Sequence, residues 1–320
     1  MDKIMLTGVL TAFSLLLSAC MPQPEPLAFL DQPPFAEAKG SILRLSELAR
    51  RSVQTALMDG IDPSSLTAQV LPSADAIMAM LSTSNMADRF EDNEEEAHSP
   101  FTVLRYQRIA SYYEVMHRRR SELEAYLDGA WPVLSAWDRL FASKKQQKRY
   151  VLTEPGLYSL PRRDQLEYSH TWALDIFLQE VRQFPDGTQK GPIIYSLSDG
   201  IVVAASSNWH GYPRLGASVD YLWGGLSPKA GNGVIVYSPA EKRYYLYFHL
   251  YRTSLVPGRV VRKGSALGYS GNSGTNARRK GRGEHLHLEI FNAASGRFFS
   301  NEQILAMLSR SSRASIFTEE

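Results

Sequence analysis

The chain has 320 residues, with 35 Lys and Arg against 33 Asp and Glu, for a formal net charge of +2. That near-balance supplies no global field for nucleic acid, which is therefore not expected as a partner. Hydrophobic residues make up 44% of the chain, enough for a core in each of about two domains. The single cysteine, Cys20, excludes an intrachain disulfide.

Ile4 to Leu17 is an apolar run broken only by Thr7, Gly8, Thr11 and Ser14. It is short for a transmembrane helix and has the length of a signal-peptide core. It ends in Leu17-Ser18-Ala19-Cys20, which resembles the lipobox of bacterial lipoproteins. The resemblance implies that residues 1–19 are a signal peptide cut before Cys20, and that the thiol is acylated. Acyl chains on Cys20 would hold the protein to a membrane surface without spanning it. The n-region departs from the usual pattern, because Asp2 offsets Lys3. Met21 after the cysteine, in place of Asp, implies the outer membrane facing the periplasm if the host is Gram-negative. The expected location is the cell envelope. Pro22, Pro24, Pro26, Pro33 and Pro34 then make residues 20–40 an extended, Pro-rich tether.

Residues 41–150 read as helical. Ile42, Leu45, Ala49, Val53, Ala56 and Leu57 recur at helical spacing between Ser41 and Asp59, with Gly60 as the stop. Ser73 to Phe90 predicts a second, weaker helix, followed by the acidic run Glu91 to Glu96. Ser99-Pro100 starts a long helix over Phe101 to Leu127, which Asp128-Gly129 is expected to end. Trp131 to Phe141 predicts a separate short helix before the solvated linker Lys144 to Arg149. Arg118, Arg119 and Arg120 splay around a helix and read as surface residues. His98 and His117 have no second ligand type at metal-binding spacing and read the same way. This half carries no recognisable motif. It is expected to place or restrain the C-terminal half, or to meet a protein partner, and not to add chemistry.

After Pro161 short apolar runs alternate with turns. The runs are Ile193–Leu197, Ile201–Ala205, Val234–Tyr237, Tyr244–Leu250, Ala266–Tyr269 and Leu286–Ile290. Asp199-Gly200, Asn232-Gly233 and Gly271-Asn272-Ser273-Gly274 supply the turns, which predicts a mostly antiparallel sheet domain over 151–300. Residues 301–320 form a short C-terminal helix and tail, opened by the capping-box pattern Ser300-Asn301-Glu302-Gln303. The fold class is α+β: N-terminal helices followed by a mostly antiparallel β domain.

Within Glu284 to Ile290, Leu286, Leu288 and Ile290 alternate with His285, His287 and Glu289. That is the period of a half-buried strand, and two imidazoles at i and i+2 on one face can share a metal. Glu289 shares that face and reads as an exposed residue or as a partner to a ligand. There is no His-Glu-x-x-His, and Gly268, Gly271 and Gly274 lack dinucleotide-binding spacing. His210, within Asn208 to Ala230, reads as a loop residue. Arg278-Arg279-Lys280-Gly281-Arg282 reads equally as a solvated loop or as a positive rim for carboxylates.

Together these stretches resemble the lysostaphin-like (LytM-type) zinc metallopeptidases, most of which cut peptidoglycan peptides. The carrying motifs run in order: His170 to Ile176, Ser198 to Val203, Asn232 to Val236, Tyr247 to Leu250, Val260 to Gly268, Gly271 to Thr275 and His285-Leu286-His287. The resemblance covers the second half of the chain and is silent on residues 1–150. It implies Zn²⁺ held by His170, Asp175 and His287, with a fourth position left open. It further implies His285 as the general base toward the attacking water. His249 would steady the developing oxyanion or orient the water. The family's commoner spacing is His-x-x-x-Asp, whereas four residues separate His170 from Asp175. In a regular strand that odd step would put the two on opposite faces. A bulge, or a histidine in the loop before the strand, would restore convergence. The implied function is a lipid-anchored zinc endopeptidase acting on peptidoglycan peptides. The alternative is a catalytically inactive domain that binds or activates a partner cell-wall hydrolase.

Overall fold

The computed structural model describes residues 42–72, 77, 80–81, 100–141, 150, 152–168, 171–207, 231–274, 277 and 285–311. The signal, Cys20, the tether, His98, the acidic run, the basic linker, His170, His210 and the Arg278–Arg282 stretch lie outside them, as does most of the helix expected over Ser73–Phe90.

Helix α1 spans Ile42–Met58, and its buried stripe is Leu45, Ala49, Val53 and Ala56. A second helix, α2 (Pro63–Val70), had no counterpart in the sequence reading. Its signal is Asp62-Pro63: the Asp62 side chain caps the Ser64 amide at 2.9 Å and proline occupies the first turn.

Helix α3 runs unbroken over Pro100–Phe141, so Asp128-Gly129 does not end it and Trp131–Phe141 is not a separate helix. The reason is packing. A Cβ at Gly129 would lie 1.9 Å from the Ser46 carbonyl oxygen, so this glycine lets α1 and α3 touch backbone to backbone. Pro132 also lies inside the helix, at the cost of one backbone hydrogen bond.

The remaining chain forms two antiparallel sheets. The larger is ordered β1 (Tyr158–Ser159), β2 (Leu174–Leu178), β11 (His285–Asn292), β7 (Arg243–Phe248), β6 (Gly233–Ser238), β5 (Gly200–Ser206) and β9 (Val260–Val261). A short β12 (Arg297–Phe298) also pairs with β11. The smaller sheet is ordered β3 (Arg182–Gln183), β4 (Gln189–Tyr195), β10 (Ala266–Gly271) and β8 (Leu250–Arg252). Helix α4 (Asn301–Ser311) closes the described chain. Gln303 accepts from the Ser300 amide at 2.9 Å, as its capping box requires. The α+β class and the antiparallel sheet follow the sequence reading.

Strand alternation sends each face of the large sheet to a different partner. Val202, Val234, Val236, Tyr245, Tyr247, Leu286, Leu288 and Ile290 pack against Ile194, Leu250 and Leu267 of the small sheet. Ile201, Val203, Ile235, Tyr237, Tyr244, Leu246, Phe248 and Phe291 join α1 and α3 in one core. The helices are therefore a third layer, on the sheet face that carries the histidines of β11.

That layer is pinned by charge as well as by apolar contact. Arg120 is 1% exposed, not a surface residue: it pairs with Glu124 at 3.1 Å and lies 4.8 Å from the Phe291 ring centroid. Tyr237 donates to Asp128 at 3.0 Å, and Lys242 pairs with the same carboxylate. Arg262 reaches Asp138 at 2.8 Å and the Ser135 carbonyl at 2.7 Å.

Removing Arg120 (Arg120→Ala) takes the neighbouring cation away from buried Glu124 and is expected to cost about 3–5 kcal/mol in urea unfolding. Burial pushes the Glu124 carboxyl from its ordinary 4.5 up to about 7, with Arg120 opposing the shift. The folded state thus keeps a proton that the unfolded chain releases first. Stability from this group is full below about pH 4.5 and is lost as pH rises to about 7. Glu124→Gln is expected to remove that slope from the stability–pH profile.

Candidate metal and catalytic centre

Alternation along β11 places His285, His287 and Glu289 on one face, and its neighbours complete the group. On one side β2 pairs with the register His287↔Asp175 and His285↔Phe177; on the other, β7 sets Phe248 opposite His287. His287 Nδ1 and Asp175 Oδ1 are 2.9 Å apart, and His285 Nε2 lies 3.8 Å from the same oxygen.

His249 enters from the step between β7 and β8. In a regular strand Phe248 and His249 would face opposite ways. Yet the Phe248 ring is 6.2 Å, and the His249 ring 5.5 Å, from that of His287. The break is a left-handed backbone at His249, φ +61°, a rare conformation for a non-glycine residue. The same turn brings its ring 4.8 Å from that of His285.

Turn residues fix this geometry. The Ser273 carbonyl accepts from His249 Nδ1 at 2.8 Å, while the Ser273 hydroxyl accepts from the Asn232 amide at 2.9 Å. Asn272 bonds the Gln189 amide at 3.0 Å and the Gly187 carbonyl at 3.0 Å. The sequence reading takes Asn232-Gly233 and Gly271–Gly274 as turns and as parts of the family-like motif order, with no role at the site. Two turns in series with a histidine strand were the available signal. A carbonyl can only accept, so Nδ1 carries the His249 proton and Nε2 keeps its lone pair.

The face is not open, as a half-buried strand would have left it. His249, His285 and His287 are 5%, 8% and 7% exposed, and Glu289 is 3% exposed. Glu289 is a partner and not a surface carboxylate: its Oε1 lies 2.8 Å from His287 Nε2. The expectation of an exposed Glu289 fails because Phe248 and Phe291, which flank this stretch, belong to the core closed by the helices.

Burial, reinforced by the neighbouring rings of His287 and His285, drives His249 down to about 3, so it is neutral at ordinary pH. For His287 burial acts downward as well, but Asp175 and Glu289 outweigh it and hold the imidazole up to about 10. One imidazole between two carboxylates is a place that demands positive charge. A divalent cation meets that demand, and imidazole nitrogen with carboxylate oxygen is a donor set zinc accepts. Among the described residues no three His, Cys, Asp or Glu by themselves form a group able to hold a metal. The third donor expected from the sequence, His170, lies outside them. The chain ahead of β2 is a turn at Thr171–Trp172, tied to α4 by the Asn301 amide and the Thr171 carbonyl at 2.9 Å.

The sequence profile of peptidase family M23 matches residues 185–298. That stretch of the chain is similar to the M23 peptidases. The matched stretch contains His249, His285, His287 and Glu289; Asp175 and His170 precede it in the chain, and Asp175 is joined to it by the pairing of β2 with β11. Among solved structures, a zinc-containing peptidase from Vibrio cholerae is 15% identical, with a TM-score of 0.28 over 49% of this chain and 40% of that one. This chain thus covers two fifths of the Vibrio peptidase's length. The catalytic domain of lysostaphin from Staphylococcus simulans is 17% identical, with a TM-score of 0.27 over 49% of this chain and 86% of that domain. A chain of the SpoIIIAH–SpoIIQ complex is 17% identical, with a TM-score of 0.31 over 48% of this chain and 96% of its own length. No curated protein matches the chain.

Two outcomes follow from this geometry. Glu289→Ala removes the acceptor on His287 and is expected to weaken zinc binding by about 10–100-fold in chelator competition, with Glu289→Gln losing less. His249→Gly is expected to be more stable than His249→Ala by about 1 kcal/mol in urea unfolding, because glycine adopts the left-handed backbone without strain.

Proposed function

We propose that the protein is a lipid-anchored zinc metalloendopeptidase that hydrolyses peptide bonds of peptidoglycan. The observation that carries this reading is the convergence of His249, His285, His287 and Asp175, from three separate segments, on one face of an M23 sheet. His170, Asp175 and His287 would hold zinc. Bound zinc supplies Lewis-acid chemistry, acidifying a water and polarising the scissile carbonyl.

The protein's own groups divide the remaining work. His285 takes a proton from the attacking water and returns it to the leaving amine. His249 orients the water by accepting its hydrogen at Nε2. Support for that role, over oxyanion donation, is the Ser273 carbonyl, which engages the only ring proton of neutral His249. Asp175 stands between the two strand histidines and keeps their relative orientation. Burial of all three imidazoles keeps competing water away from the reacting groups.

Cys20, cut free of its signal and acylated, would tether the domain through residues 20–40 to a membrane of the cell envelope, the outer membrane if the host is Gram-negative. Among the described residues no helix is long and apolar enough to cross a membrane.

Zinc per chain and digestion of purified sacculi, measured on five variants, test the site. His287→Ala, Asp175→Ala and His170→Ala are expected to lose both metal and activity. His285→Ala and His249→Ala are expected to keep zinc while turnover falls by about 10²–10⁴-fold. Undiminished digestion by His285→Ala removes this mechanism. Full zinc occupancy with no digestion by the wild-type chain points instead to a domain that binds or activates a partner hydrolase. Cys20→Ala is expected to block processing or release the protein from membranes; normal maturation with retained membrane binding removes the anchor.

A further inference from the structure

We propose that Phe177 forms an apolar wall of the substrate cleft and selects peptides that carry an aliphatic side chain beside the scissile bond. The inference rests on the peptidase reading above and extends it from reaction to specificity.

Strand β2 is Leu174-Asp175-Ile176-Phe177-Leu178. Leu174, Ile176 and Leu178 point into the core shared with the small sheet and are 0–8% exposed. Asp175 and Phe177 take the opposite face, with the histidines. Phe177 is 46% exposed, although the residue on either side of it is buried.

Its place on that face is set by register. Phe177 stands opposite His285 as Asp175 stands opposite His287, and its ring centroid is 6.3 Å from that of His285. On its other side β1 pairs Ser159 with Phe177, so strands hold its backbone on both edges. The ring is a fixed surface and not the tip of a loop. Among the described residues the other exposed large apolar side chains are Met58, Ile61, Leu140, Val256 and Tyr269, none of them on β2 or β11.

The polar groups of the site act on the peptide bond, which every peptide shares, and so cannot distinguish one side chain from another. Phe177 meets the chain one cross-strand pair away from Asp175 and His287. An aliphatic side chain there would cover apolar surface that water now touches. A charged one would lose hydration without a partner, and glycine would offer no contact.

The test uses the full zinc-loaded protein and three peptides that differ at one position beside the cleaved bond: glycine, alanine or leucine. Wild type is expected to prefer them in the order leucine, alanine, glycine by kcat/KM. Phe177→Ala is expected to shrink the leucine-to-glycine ratio by about tenfold, mainly through KM. Phe177→Leu is expected to restore most of the ratio, and zinc per chain is expected to match wild type in both variants. A ratio unchanged in Phe177→Ala, or absent in wild type, overturns the assignment while leaving the peptidase reading intact. A wild-type chain that holds zinc and cleaves none of the peptides, nor sacculi, overturns both.

Discussion

Burial of β11 on both faces is the constraint on which the rest of the structure depends. One set of its side chains, Leu286, Leu288 and Ile290, fills the space between the two sheets. The other set, His285, His287 and Glu289, also loses its water, because the face that bears it continues into the core closed by α1 and α3. Polar groups taken out of water must find partners or lose their charge. The partners come from different places in the fold. Asp175 comes from β2, Glu289 from β11 itself, and the Ser273 carbonyl binds the neutral ring of His249.

The same constraint gives His249 and His287 opposite characters. His249, with one backbone acceptor and two imidazole neighbours, is held neutral. His287, with a carboxylate at each nitrogen, sits where positive charge is favoured. Two imidazoles within 5.5 Å of each other are thus separated into a neutral ring and one that favours positive charge, by burial and by their partners.

The helical half takes on a structural meaning that its lack of motifs concealed. It forms a layer over the histidine face, and its charged side chains Arg120, Asp128 and Asp138 reach Phe291, Tyr237, Lys242 and Arg262 on or beside the sheet. Without this layer Ile201, Val203, Ile235, Tyr244 and Leu246 would face water. Whatever restraint the helices place on the site, they are also part of the core that holds it, so the two effects share one interface.

Sequence alone determined what depends on neighbours in the chain. The two-residue period of Leu286 to Ile290, the turn signals between the strands and the helical stripe of α1 are local patterns, and the structure keeps each of them. The candidate site residues Asp175, His249, His285 and His287 were nameable from motif order. What only the tertiary structure decided involves residues far apart in the chain. Gly129 looked like a stop but serves close contact with Ser46, and Arg120 looked solvated but lies under Phe291. Glu289 looked exposed until a third layer covered its strand, and Phe177 became a neighbour of His285 only through strand register. A residue's spacing fixes the direction in which its side chain points. The element that meets it there depends on which distant surfaces must be buried together, and no local pattern encodes that pairing.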